Sequence, residues 1–407
     1  MTDQYDNRRP DAGLPSRPID QFCDLVRADP ALQEALRKPD DTEQFIALVL
    51  TAARVCGFAL GADDIGVAMR PQLPGHPPSN VDERETQLPP GGWLPSGTFW
   101  RNRRLFVRWA LFGDQRLTEP FFEGDVQRAT RKPFNRLIRY ATPIDKLAEW
   151  LRDHPGLQPN GFIFHMSRCG STLVSQMLAA LARNVVVSEA SPIDAVVRAP
   201  QMLPGLSDDQ HVRWLRSIVG ALGQPRAGNE LNYFIKLDSW HTLALPLFQR
   251  AFPDVPWIFM YRDPVEVLVS QLRIPGWQMV PGAVDPILLG SPSSDGALNP
   301  QIYRAQVLAR VCEPVLEHHS GKSLLINYRQ LPEAVWTAIM PHFGVACGDH
   351  DRDAMAQVAR YDAKTPSFEF TADSESKQRE ATAPVRAVAE ERIGEIYQRL
   401  EVLRGNP

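Results

Sequence analysis

Little in this chain of 407 residues points to export, to a membrane or to nucleic acid. Its five cysteines, Cys23, Cys56, Cys169, Cys312 and Cys347, show neither paired metal-ligand spacing nor an even disulfide framework. A reducing cytoplasm is therefore the expected compartment. The most apolar stretch, Phe45 to Leu60, is broken by Arg54, so no membrane-spanning helix is expected. The opening MTDQYDNRRPDAG is polar, without an apolar signal core. Positive charge is not in surplus either: a net charge of −4 excludes global attraction to nucleic acid and leaves only local patches.

What is present is concentrated in two segments, FHMSRCGSTLVSQML from Phe164 to Leu178 and FMYRDPVEVLVSQ from Phe259 to Gln271. Each reads as strand, tight turn and helix. In the first, an apolar run from Gly161 to Phe164 stops at Ser167, Arg168, Cys169, Gly170, Ser171 and Thr172, after which apolar residues recur at helical spacing. A strand that turns directly into a helix leaves backbone N–H groups unpaired with the helix dipole behind them, which makes an anion site. The loop departs from the standard triphosphate loop, which weakens a triphosphate and magnesium reading. With Gly170 at the second glycine of G-x-x-x-x-G-K, His165 stands at the first and Ser171 at the lysine.

The first segment resembles the 5′-phosphosulfate loop of the sulfotransferases that use 3′-phosphoadenosine 5′-phosphosulfate (PAPS), in the bacterial Ser-Arg-x-Gly-Ser-Thr form. The second is similar to that family's 3′-phosphate segment, which places an Arg at a strand end and a Ser eight residues on, here Arg262 and Ser270. An Arg at a strand end offers a planar fork to phosphate, and two helical turns bring the Ser to the same side. The resemblance spans roughly 161 to 328. It implies a P-loop-type doubly wound parallel sheet flanked by helices, an α/β fold also indicated by the alternation of short apolar runs with helical patterns. Those runs include Val185 to Val187, NYFIKLDSW with its strand ending at Lys236, Leu237 and Asp238, PWIFMYRDP, and the strand in KSLLINYRQLPE.

Around that core, the sequence divides into a small helical module over 1–80, a Pro/Gly-rich linker over 81–97, a segment rich in Arg and aromatics over 98–157 that packs on the core, and the P-loop domain over 158–407. Residues 19–69 resemble the small helical leader domains attached to modified peptides in bacteria; a helical appendage packed on the core is the other reading. Asp40 or Asp41 and Thr42 are its clearest helix start. The basic cluster Arg101, Arg103, Arg104 and Arg108 could receive an acidic substrate or form a solvated face.

Sulfuryl transfer is an in-line displacement in which negative charge builds on the leaving oxygen, so an enzyme must neutralise that oxygen and deprotonate the acceptor. With one charge fewer than phosphoryl transfer, no metal is expected. The resemblance assigns Arg168 to the leaving group and Ser167, Cys169, Gly170, Ser171, Thr172 and the loop amides to the 5′-phosphate, with Cys169 a small filler. It makes Glu189 the first candidate for general base and Asp238 the second, with Lys236 on the sulfuryl oxygens. Either carboxylate could instead pair with Arg168 or cap a helix. His165 and His241 are weaker candidates. The tail implies further nucleotide contacts from Lys377, with Lys364 and Arg379 beside it. A long irregular stretch, 274–300, carries Trp277, Met279, Val280, Ile287 and Leu288 and reads as a lid over the acceptor.

The activity expected is transfer of a sulfuryl group from PAPS to a hydroxyl or amine of a small-molecule, carbohydrate or peptide acceptor. Two alternatives stand beside it. One is a P-loop kinase for a small alcohol, weakened by the missing lysine and the lack of a clear aspartate pair for magnesium. The other is a nucleotide- or peptide-binding module without turnover.

Overall fold

The computed structural model describes residues 17–71, 87–282, 284, 299–365 and 367–405. Five strands form one parallel sheet: β4 (Gly161–His165), β5 (Asn184–Ser188), β6 (Asn232–Lys236), β7 (Trp257–Tyr261) and β8 (Ser323–Asn327), in the order β5-β6-β4-β7-β8. Residues such as Ile163, Val187, Phe234, Ile258 and Ile326 are almost wholly buried, as expected of strands covered on both faces by helices. The expected doubly wound α/β sheet is therefore present.

The chain leaves β4 for β5 on one side, returns through β6, and crosses to β7 and β8 on the other. Beyond the carboxyl ends of its strands, such a reversal opens a crevice where open α/β sheets bind ligands. His165 pairs with Met260, Ser188 with Lys236, and Tyr261 with Asn327, so the strand ends lie side by side.

The segment between the helical module and this sheet forms a second, antiparallel sheet. It comprises β1 (Trp93–Arg101), β2 (Arg104–Leu111) and β3 (Tyr140–Pro143), in that order. The hairpin turns at Asn102 and Arg103, with φ of 49° and 59°, values suited to a two-residue primed turn. Sequence reasoning assigned no strand here. The reason is visible in the packing: Phe99 and Phe106 stack at 5.2 Å, with the Arg108 guanidinium 5.1 Å from the Phe99 ring and that of Arg104 5.8 Å from Phe106. Arginine covers the aromatic face and blurs the polar–apolar alternation. Strand β1 begins at Trp93, inside the stretch read as linker.

Residues 17–71 hold four helices, Pro18–Ala28, Pro30–Leu36, Thr42–Val55 and Ala62–Ala68. Asp41 caps the third, its carboxylate accepting from Gln44 N–H at 2.9 Å. The module rests on the antiparallel segment: Gln33 Nε2 donates to the Tyr140 hydroxyl at 3.0 Å, and that hydroxyl donates to Arg27 O at 3.0 Å. No described helix is long and apolar enough to cross a membrane.

Candidate active site

Each strand of the parallel sheet ends in a residue that faces one cavity. After β4 comes the loop 167–170, after β5 Glu189, after β6 Asp238, after β7 Arg262 and after β8 Tyr328; together they line a space of about 440 Å³. Residues scattered over more than 160 positions meet there because the sheet is parallel and its strand ends are in register.

The loop is held in an uncommon backbone shape. Ser167, Arg168 and Gly170 have φ of 81°, 52° and 85°, and for the first two, which carry a Cβ, this left-handed conformation is disfavoured and has to be imposed by the surroundings. The helix Ser171–Ala179 starts at Gly170 with no side-chain cap, and Val174 N–H makes its bond to Gly170 O. Left-handed turn amides followed by uncapped helix amides form a concavity for an anion.

The surroundings bolt this loop to its neighbours. Met166 N–H and the Cys169 thiol both donate to Met260 O, at 3.0 and 3.1 Å. Gln271 Nε2 donates to Ser167 Oγ at 3.1 Å while its Oε1 accepts from Gly276 N–H at 2.7 Å. Ser167 N–H donates to His165 Nδ1 at 3.1 Å, which leaves Nε2 as the protonated nitrogen of a neutral ring. Burial lowers the pKa of His165 and pushes that of Cys169 up to about 12. Cys169 is thus a buried filler whose thiolate is inaccessible.

The two carboxylates differ sharply. Glu189, itself left-handed at φ 51°, accepts from the wholly buried Lys236 Nζ and has His165 Nε2 3.3 Å away, too poorly aligned for a hydrogen bond. Burial alone would raise its pKa. The Lys236 ammonium leads the groups that outweigh burial and hold it below the usual carboxylate range. Asp238 has no such partner: burial, with Glu189 and Asp194 nearby, outweighs His241 and pushes it up to about 7. His241 Nε2 lies 3.0 Å from Asp194 Oδ1 and 3.7 Å from Asp238 Oδ2.

Asp194, Asp238 and His241 bring one ligand atom each within 4.8 Å of one another, and among the described residues they are the group able to hold a metal ion. Trp240 Nε1 already donates to Asp194 Oδ1 at 2.7 Å. That oxygen is therefore serving as an acceptor for ring N–H groups, a structural use of the carboxylate.

Arg262 is held by several partners. Its Nε donates to Glu266 Oε2 at 2.6 Å, Nη2 donates to Asp373 Oδ1 at 2.6 Å and to Ser374 Oγ at 3.0 Å, and Cζ lies 3.9 Å from the centre of the Tyr328 ring. Lys377 Nζ is 2.6 Å from Asp373 Oδ2. Arg168 Nη2 donates to Ile274 O at 2.7 Å, which ties the stretch after the helix Pro264–Arg273 to the loop.

Of the residues expected from sequence, Ser167, Arg168, Cys169, Gly170, Ser171, Thr172, Glu189, Asp238, Arg262, Ser270 and Lys377 line this cavity, with Lys236 reaching it through Glu189. Lys364 lines it too, its pKa lowered to about 8 by burial and by Arg168 and Lys236; Arg379 is exposed outside it. Gly276, Trp277 and Gln278 contribute from the expected lid, whereas Ile287 and Leu288 lie outside the described residues. The arginines of the 98–157 cluster do not line it; Arg108 borders a separate cavity, and Arg103 and Arg104 are exposed.

Sequence reasoning missed Phe121, Tyr328 and Asp373 as site residues. Phe121 carries two lysines, Lys236 Nζ at 4.8 Å and Lys364 Nζ at 5.7 Å from its ring. Nothing in LTEPFFEGD marks it, since its partners lie over a hundred positions away. Tyr328 has a local signal, its place directly after an apolar strand.

No family model and no curated protein matches this sequence. Among solved structures, the chain is similar to a sulfotransferase domain from the curacin biosynthetic pathway, at 17% identity over 58% of this chain and 98% of that one, TM-score 0.37. It is similar also to a sulfotransferase domain of the Synechococcus PCC 7002 olefin synthase, at 19% identity over 62% and 96%, TM-score 0.37. A sulfotransferase from Mycobacterium avium is a third, at 15% identity over 65% and 85%, TM-score 0.33.

Proposed function

We propose that this chain is a sulfotransferase that moves a sulfuryl group from PAPS to a hydroxyl or amine acceptor without a metal. The observation that carries the reading is one cavity holding three things: a strained anion loop at a helix start, a guanidinium at the end of the neighbouring strand, and a buried carboxyl pushed up to about 7.

In this reading the loop amides with Ser171 and Thr172 bind the 5′-phosphate, and Arg168 offsets the charge that builds on the bridging oxygen as the sulfur–oxygen bond breaks. Arg262, Ser270 and Lys377 receive the 3′-phosphate. Asp238 is the better general base. A carboxylate whose pKa lies near the working pH accepts a proton far more readily than Glu189, whose charge is stabilised by Lys236. Glu189 then serves to hold Lys236 and the His165 ring at the floor of the site, beneath the transferred group.

Calorimetric titration with adenosine 3′,5′-bisphosphate, 5′-AMP and ATP, each with and without magnesium, tests the donor. Metal-independent binding of the bisphosphate, with 5′-AMP much weaker, is expected. Binding of magnesium–ATP in place of the bisphosphate would sink the reading in favour of a small-alcohol kinase.

A further inference from the structure

The Asp373 carboxylate bridges Arg262 and Lys377 at the cavity wall. One carboxylate oxygen sits 2.6 Å from Arg262 Nη2 and the other 2.6 Å from Lys377 Nζ, a bridge between two cations of the kind a phosphate monoester makes. Both cations are buried, with Arg262 and Lys377 each 4% exposed, while Asp373 lies on the cavity side with its side chain 36% exposed. Glu266 neutralises Arg262 from the opposite edge, accepting from Nε and from the Ser374 hydroxyl at 2.9 Å. Two cations thus face two carboxylates, and an incoming dianion would meet no surplus positive charge unless one carboxylate withdrew.

Only Asp373 is placed to withdraw. Glu266 is buried in the helix Pro264–Arg273, one turn from Arg262, whereas Asp373 stands just before the helix Ser374–Glu380, at the end of the irregular stretch that follows Tyr361. That stretch also sends Tyr361, Asp362, Lys364 and Phe370 to the cavity wall, so a shift of Asp373 would reshape the wall itself.

We propose that Asp373 is a carboxylate placeholder in the anion subsite of Arg262 and Lys377, that a phosphate monoester displaces it, and that it thereby sets how tightly the site takes its ligand. This rests on the nucleotide reading given above. The charge it contributes opposes binding, and the bonds it makes keep two buried cations from standing unpaired in the free protein.

The test is calorimetry on the full chain and on Asp373→Asn, Asp373→Ala and Asp373→Glu, with adenosine 3′,5′-bisphosphate and 5′-AMP as probes and thermal unfolding as a check on folding. The Asn and Ala variants are expected to bind the bisphosphate about tenfold or more tighter, equivalent to about 1.4 kcal/mol. Asp373→Glu should stay within about threefold of the parent, and 5′-AMP should bind all four proteins alike. Equal or weaker bisphosphate affinity in a folded Asn or Ala variant overturns the placeholder while leaving the donor reading intact. If neither parent nor variants bind the bisphosphate, the donor reading fails first and takes the placeholder with it.

Discussion

Asp238 Oδ2 lies 3.7 Å from Nε2 of His241, and the same nitrogen is 3.0 Å from Asp194 Oδ1. The imidazole leans toward Asp194, and Asp238 is left in a buried site without a full counter-charge. Its pKa of about 7 is the outcome. With Asp238 as base, kcat/KM should climb as pH rises through about 7 and then level off. Asp238→Asn should lower kcat by about 10²–10⁴-fold. A pH profile flat from 5 to 9 in the parent would remove Asp238 from that role.

The same shift has a consequence for stability with a definite sign. Between the unfolded carboxyl value of about 3.9 and about 7 in the folded state, the native protein holds a proton that the unfolded chain releases. Stability from this group is therefore lost as pH rises through that window. Asp238→Asn should be more stable than the parent at pH 8, on the order of 1–2 kcal/mol, and the gap should close near pH 4. Urea melts at the two pH values measure it.

Arg168 and Arg262 should separate kinetically. In the proposed reaction Arg168 faces the charge that develops during transfer, so Arg168→Ala should reduce kcat by about 10²–10³-fold with a modest effect on donor KM. In the same proposal Arg262 contacts a part of the donor that does not react. Its Ala variant should raise donor KM and leave kcat closer to the parent. Steady-state kinetics at varied donor concentration would show the split, and equal effects on kcat from both variants would contradict it.

Gly170 admits no side chain. At φ 85°, a Cβ there would stand 2.5 Å from Leu331 Cδ1 and 3.0 Å from Tyr328 Cδ2. Gly170→Ala must both strain the backbone and displace the ring that stacks on Arg262, at a stability cost of about 1–3 kcal/mol. Loss of bisphosphate affinity should accompany the lower melting temperature.

Alkylation should discriminate among the cysteines. Cys56 is exposed, whereas Cys169 and Cys312 are fully buried with thiols pushed well up in pKa by that burial. Iodoacetamide under native conditions should modify Cys56 first and leave activity unchanged, as mass spectrometry of the labelled protein can show. Rapid labelling of Cys169 would mean that the loop opens.

The parallel sheet was legible because its strands are short apolar runs buried on both faces, and FIF, VVV, YFI, IFM and LLI need no partner to be seen. The antiparallel hairpin was not, since Arg104, Phe106 and Arg108 share a face whose logic is arginine stacked on aromatic rings. Glu189 and Asp238 looked alike for a related reason. Both follow an apolar strand, and the sequence ranks Glu189 first, while the charge around each is set by side chains from other strands.

By itself, then, the sequence determined the strands of the parallel sheet, the loop that turns into a helix at Gly170, and the residues that follow those strand ends, because hydrophobic period and turn chemistry act between near neighbours. Tertiary structure alone decided which charges meet. Glu189 finds Lys236 at 47 positions' distance and Arg262 finds Asp373 at 111, and burial at those meeting points sets which carboxyl keeps its proton. Electrostatic energy depends on distance through space and on the exclusion of water, and neither is written in the order of residues along a chain.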